Sequence, residues 1–315
     1  MKKRFVKFAG YAVLIFCLIF LGQRFYSNFG NLIAIRLEWK FYAALFAASI
    51  GYGVLQLLLV AALSVTLKGL GATGTHFSKV LNFHGRTDIA KYLPGNVFHF
   101  AGRQLMAKSF GWSQATVGLA SLAETSLVII GAGLGALLYG ALANMELVSK
   151  NLLPIDWRAM LFTASAGIGA VWFLCANAAH IPWLAGYAGA QNIQKFSRSL
   201  RPLLAITYYT LFFLIGGVMF WLLLAGMRGE WGEQFLTMAG FAYVASWLAG
   251  KISPGASAGI GVREAILVLI MGPTLGEAEA LVLALGMRVV SVIGDFLLLA
   301  MAMLFRPETP KQETP

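Results

Sequence analysis

Charge is scarce in this chain. Only 12% of its 315 residues are charged, about half of the roughly 25% that an ordinary soluble domain carries. That shortage excludes a water-solvated globular fold. Cysteine is scarcer still: Cys17 and Cys175 both lie inside apolar runs, with no partner at a useful spacing, so neither a disulfide framework nor a metal site is expected. His76, His84, His99 and His180 are scattered without ligand spacing, and no G-x-x-x-x-G-K phosphate loop occurs. No cofactor is expected. The net charge of +11 does not gather into a basic domain or face, so nucleic acid is not an expected partner. The cations sit instead at the ends of apolar runs, where the positive-inside bias puts them.

What is abundant is hydrocarbon. Hydrophobic residues make up 59% of the chain and the mean hydropathy is +0.75. The apolar residues come in long runs rather than amphipathic stripes, as bilayer-spanning helices of roughly 20 residues require. The expected fold is an all-α polytopic membrane protein of about seven to eight transmembrane helices, with two further Pro-Gly-broken, re-entrant helices in a two-fold internal repeat. The spans are read at 5–21, 41–65, 115–142, 159–176, 203–225, 235–250 and 278–305. A single membrane domain then covers 1–305, in repeat halves of about 1–150 and 151–305, ahead of a short polar tail at 306–315 that is expected to be disordered.

The opening stretch, MKKRFVKFAGYAVLIFCLIFLGQRF, has a basic head and an apolar run but no small-x-small cleavage site. It reads as a retained first helix with a cytoplasmic start, in an inner membrane. Lys68, Lys79, Arg86, Lys91, Arg103 and Lys108 around the first Pro-Gly break, and later Lys195, Arg198 and Arg201, mark other cytoplasmic ends, whereas NMELVSKNLLPIDWR and MRGEWGEQ mix acids with bases and suit the outer face. No soluble domain is expected at either end.

Two segments, about 79–106 and 251–275, are apolar but interrupted by Pro, Gly and charge. KYLPGNVFHFAGR at 91–103 returns 160 residues later as KISPGASAGIGVR at 251–263. Both read Lys-x-x-Pro-Gly, then seven residues, then Arg. Proline removes an amide donor and glycine adds freedom. Each unmade backbone hydrogen bond costs several kcal/mol in hydrocarbon, so such breaks survive only inside protein or beside a wet cavity. A broken helix also presents free amides at a positive dipole end. Lys91, Pro94, Gly95 and Arg103 at the first break, and Lys251, Ser253, Pro254, Gly255 and Arg263 at the second, are therefore candidates to converge on an anion. Phosphate is the natural guest, since guanidinium matches it in bidentate fashion. Paired interrupted segments in two halves point to a transporter's binding site; the alternative is two unrelated interfacial turns. If both segments dip in from the cytoplasm, four crossings separate them, whereas an inverted repeat needs an odd number. The sequence leaves inverted and parallel repeats both open.

Charges inside spans cost about 2.5–3.5 kcal/mol each on insertion scales and mark functional candidates. Glu124 lies about ten residues into a span, with Arg103 or Arg263 as its expected partner. Arg288 and Asp295 are seven apart on one helical face, with Ser291 between them. Glu264 follows Arg263 directly, so that one contacts a ligand while the other pairs with Arg288. Each of these residues either lines a site or fixes packing through an ion pair, and Glu124 or Asp295 is a candidate proton carrier. Gly131 and Gly135 read as close helix packing rather than as a site.

KYLPGNVFHFAGRQ, ISPGASAGIGVREAIL and the late RVVSVIGD resemble the lysylphosphatidylglycerol synthase transmembrane-region, or flippase-like, family over roughly 5–305. The family's first motif falls on Tyr92, Leu93, Pro94, Gly95, Gly102 and Arg103. Its second falls on Ser253, Pro254, Gly255, Gly259, Gly261, Arg263 and Glu264, with Ala256 standing where a further glycine is usual. Glu124 and the pair Arg288 and Asp295 also match. The resemblance implies lipid handling: a translocating unit alone, without the aminoacyl-transfer domain of larger members, acting on an anionic phospholipid or a polyprenyl-phosphate-linked sugar. A flippase working by alternating access is the leading expectation. The alternatives are an intramembrane transferase acting on a lipid-phosphate, with Glu124 or Asp295 as base, and an accessory subunit for envelope-synthesis enzymes.

Overall fold

Helices alone form the regular structure of the residues described by the computed structural model, which are 21–92, 98–142, 189–229, 234–253 and 257–305 with positions 19, 177, 180 and 232. In chain order they are α1 (Phe29–Ala34), α2 (Trp39–Leu55), α3 (Leu57–Gly69), α4 (Phe77–Asp88), α5 (Phe98–Ala107), α6 (Gln114–Leu142), α7 (Ala190–Ser197), α8 (Arg201–Arg228), α9 (Gln234–Ile252), α10 (Val262–Leu275) and α11 (Glu277–Leu304). Five are long and apolar enough to cross a membrane: α2 and α3 as one run of 31 residues, α6, α8, α9 and α11. They coincide with five of the seven spans read from hydropathy. Most of the span read at 5–21, the whole of that at 159–176 and the 306–315 tail lie outside the described residues.

α8 is the centre of the bundle, packed against α2, α3, α6 and α9. Its sequence has no polar face, and Tyr209, Phe212, Phe213 and Phe220 are all but fully enclosed, as expected of a helix that is apolar all round. Phe46, Leu122, Leu142 and Phe296 point outward from the spans. Lipid tails are as apolar as leucine, so close packing rather than the hydrophobic effect must hold such helices together. Gly131 and Gly135 of α6 face Tyr209 and Phe213 of α8, and a Cβ on Gly131 would lie 2.5 Å from that of Tyr209. On the far side of the bundle, a Cβ on Gly294 of α11 would meet Tyr52 Cδ1 at 2.6 Å and Gly53 N at 3.1 Å.

The helices have two distinguishable ends. At one, Gly69 abuts Phe196 and Arg201, Asn192 Nδ2 donates to Leu70 O (3.3 Å), and Trp112 Nε1 donates to Thr73 O (2.9 Å) with Lys79 over its ring. Asn82 Nδ2 reaches Ala302 O there, at 2.5 Å. Lys68, Lys79, Lys195 and Arg201 all belong to this end. At the other, Arg24 pairs with Glu277 and Arg228 with Glu279. α3 and α11 therefore run toward the basic end, while α6 and α8 run away from it. α4 also starts at the basic end, since Gly85 follows Asn82 along α11 from Ala302 to Leu298. α9 starts at the opposite end: Trp221 Nε1 donates to Gly232 O, and Gly217, Gly216 and Phe213 of α8 then meet Gly240, Tyr243 and Trp247 in turn. α10 ends beside Glu277, back where α9 began.

Because these contacts are already as tight as helices allow, Gly131→Val and Gly294→Val should each destabilise the protein by about 1–3 kcal/mol through overpacking. Gly133, with open space where its Cβ would go, should tolerate Ala or gain up to about 1 kcal/mol of helix propensity. Thermal unfolding in detergent reads the contrast.

Candidate functional site

The interrupted stretches meet. Lys91, Arg103, Lys251, Arg263 and Arg288 line a single cavity of about 130 Å³ together with Asp88, Glu124 and Asp295. It lies inside the bundle, nearer the basic end: Asp295 is 18 residues from the first of α11 and nine from the last, about 27 and 14 Å along a helix axis. Space of this order, bounded by polar atoms, takes several waters or one small polar group. Two expected site residues are elsewhere. Ser253 is not on the wall, and Glu264 faces a small adjoining recess shared with Arg263 and Arg288. Pro94, Gly95, Pro254 and Gly255 lie outside the described residues.

Most of the buried charge is matched. Arg103, only 2% exposed, forms an ion pair with Glu124 and sets Nη2 3.0 Å from His84 Nδ1. Of the two arginines expected as partners of Glu124, Arg103 is therefore the one in contact. Lys91 lies between two carboxylates, 2.7 Å from Asp88 and 2.8 Å from Asp295, and Tyr92 donates its hydroxyl to Asp295 as well. Arg288 pairs with Glu264 at 3.5 Å and donates to Ala258 O at 3.2 Å. The other oxygen of Glu264 accepts the Gly261 amide at 2.7 Å. This side chain, rather than a ligand, therefore occupies that amide where α10 begins. Arg288 and Asp295 form the polar stripe expected on α11. Asp295 holds the turn after α4, and Arg288 holds the turn before α10.

Two cations are left over. Among the described residues, neither Lys251 nor Arg263 makes an ion pair or a side-chain hydrogen bond. Arg263 is held by packing instead. Its aliphatic stem is threaded between Gly250 and Gly259, where added Cβ atoms would come within 2.5 Å of Arg263 Cγ and 2.8 Å of its Cδ. Gly259 has φ +69°, a conformation that side-chain-bearing residues rarely adopt. A glycine sleeve thus fixes the guanidinium without supplying a counter-charge. Lys251 follows Gly250 immediately, with its ammonium 6.0 Å from the ring centroid of Phe100.

Further donors face the same space. Gln56 Nε2, His84 Nε2, Arg103 Nε, Tyr209 OH and Arg288 Nη2 are buried atoms without a hydrogen-bond partner among the described residues, as are His99 Nδ1 and the carboxylate oxygen Asp295 Oδ1 on the same wall. The positive charge facing the cavity is carried by its lysines and arginines. Such an arrangement can bind an anion's oxygens through a guanidinium and an ammonium. Asp88 was legible as an acid three residues before Lys91, the spacing of an ion pair across one helical turn. Gln56, His84, Tyr209 and Gly250 carry no sequence signal that sets them apart.

Glu124→Ala should cost about 3–5 kcal/mol of stability, because it strands Arg103 in a buried site. Replacing both, Arg103→Met with Glu124→Leu, should recover much of that loss. A thermodynamic cycle of the four proteins in detergent measures it, and additive single effects would show that the pair is not coupled. Compared with family models, curated proteins and solved structures, the chain matches none.

Proposed function

We propose that this protein translocates an anionic lipid across the inner membrane, binding its headgroup phosphate at Lys251 and Arg263 while the acyl chains stay in the bilayer. The observation that carries this reading is a pair of half-buried cations, unmatched among the described residues, in a cavity inside the bundle bounded by both interrupted stretches. Drawing a charge away from water without a partner is costly. Here there are two, with a glycine sleeve built around one of them, and a guest anion would supply their counter-charge.

The helix directions support an alternating-access scheme. α4 enters from the basic end and α5 follows the first break; α9 enters from the opposite end and α10 returns there. On this reading both broken segments are re-entrant, from opposite sides, and the halves α2–α6 and α8–α11 form an inverted repeat. Of the two arrangements that the sequence leaves open, this is the one favoured, and α9 ends at the cavity instead of completing a crossing. Rocking one half against the other would expose the site to each leaflet in turn. By the positive-inside bias the basic end is cytoplasmic. Arg24 at the opposite end then agrees with a cytoplasmic N-terminus and one preceding span. The resemblance to the flippase-like family points the same way. Its lipid-handling role is carried here by Arg263, Lys251 and the surrounding donors.

Purified protein in liposomes should accelerate the exchange of a labelled anionic phospholipid between leaflets. Arg263→Lys, which trades a planar fork for a point charge, and Gly259→Ala, which disturbs the sleeve, should each slow exchange by about tenfold or more, roughly 1.4 kcal/mol or more in the barrier. Gly133→Ala should not. Chemical conversion of a lipid-phosphate without exchange would instead establish a transferase, and activity appearing only with an added envelope enzyme would establish an accessory subunit.

A further inference from the structure

We propose that the site is matched to a phosphodiester bearing one negative charge and an otherwise uncharged headgroup, a choice of cargo that rests on the translocation reading above. The charge balance leads to it. Arg103 with Glu124 and Arg288 with Glu264 cancel. Lys91 carries two carboxylates, Asp88 and Asp295, which leaves one negative charge over. Lys251 and Arg263 add two positive charges without partners among the described residues. The cavity with its adjoining recess therefore holds a surplus of one positive charge.

A phosphodiester has one negative charge spread over two non-bridging oxygens. The surplus supplies one compensating charge, and Lys251 and Arg263 supply one cation for each oxygen. A phosphomonoester, doubly charged above its second ionisation near pH 6, would overshoot to a net negative cavity. An aminoacylated or zwitterionic headgroup fails differently: its ammonium cancels or exceeds the phosphate's charge, so the cavity's positive surplus stays uncompensated. In a site of low dielectric either mismatch is left largely unscreened. The aminoacyl-phosphatidylglycerol cargo of the resembled family is accordingly disfavoured. Two sources of the favoured chemistry remain: a glycerophospholipid with a neutral polyol head, and a neutral sugar on a polyprenyl phosphate.

Thermal-shift titration of the full chain in detergent at about pH 8, above that second ionisation, tests the count. The probes are phosphatidylglycerol, phosphatidic acid and phosphatidylethanolamine with the same acyl chains, a polyprenyl-phospho-hexose, and water-soluble glycerophosphoglycerol. Phosphatidylglycerol or the phospho-hexose should bind about tenfold more tightly than phosphatidic acid or phosphatidylethanolamine. Whichever of those two binds better identifies the source, and either result supports the phosphodiester class. Glu264→Gln keeps an oxygen for the Gly261 amide while adding one to the positive surplus, and should turn the preference toward phosphatidic acid. A purely structural role for Glu264 would change the melting point but not that ratio. Tighter phosphatidic acid binding by the unmodified protein, with no change of ratio in Glu264→Gln, would overturn the phosphodiester assignment while leaving lipid translocation intact. Tight binding of glycerophosphoglycerol with none of the lipids would keep the charge class but overturn translocation of a lipid. Absence of binding by every probe, together with no exchange in liposomes, would remove both.

Discussion

An ionised side chain in an apolar bundle must be matched by something, and in this protein the matching is done largely through one helix. α11 carries Arg288 and Asp295 two turns apart on the same face. Asp295 takes the ammonium of Lys91 and the hydroxyl of Tyr92 at the first interrupted stretch. Arg288 takes Glu264 and the carbonyl of Ala258 at the second. The bonds that neutralise these charges therefore also fix two irregular pieces of backbone against a regular span. Chain irregular enough to present polar groups is tolerated at this depth only because protein surrounds it, and Ala258, with φ 49° and no glycine's freedom, is held in place by such a contact.

Much of this was legible in the sequence, for a simple physical reason. Apolar runs long enough to span a bilayer cannot be disguised, so the five described spans follow from hydropathy. Charges inside those runs are equally conspicuous, and Glu124, Arg288 and Asp295 are on the cavity wall with Arg103 and Arg263. Partner choice was not legible. Glu124 had two arginines at plausible places, and only the return of α5 along α6 puts Arg103 beside it. Glu264 reads in sequence either as a ligand contact or as the partner of Arg288, and only the fold selects the second, with one oxygen on Arg288 and the other on the Gly261 amide.

Direction was hidden for a different reason. α9 is long enough to cross a membrane, and hydropathy does not say what its last turn meets. Here Gly250 and Lys251 border the cavity while Gly250 closes on Gly259 and the stem of Arg263. A glycine before a lysine has no special look in one dimension. It becomes informative only when another segment, nine residues further along, presses a second glycine against it.

The two motif arginines are neutralised to different degrees. Arg103 and Arg263 hold the same place in the doubled pattern, 160 residues apart. At that offset Glu124 falls on Ala284. The first arginine therefore has a carboxylate within reach and is largely neutralised, while the second has a methyl group in the corresponding place. Arg263 is instead held by shape, between Gly250 and Gly259. On the reading proposed above, a guanidinium fixed by shape rather than by a carboxylate keeps its charge available to an anion, and this difference between the two arginines is what would make the hollow receptive.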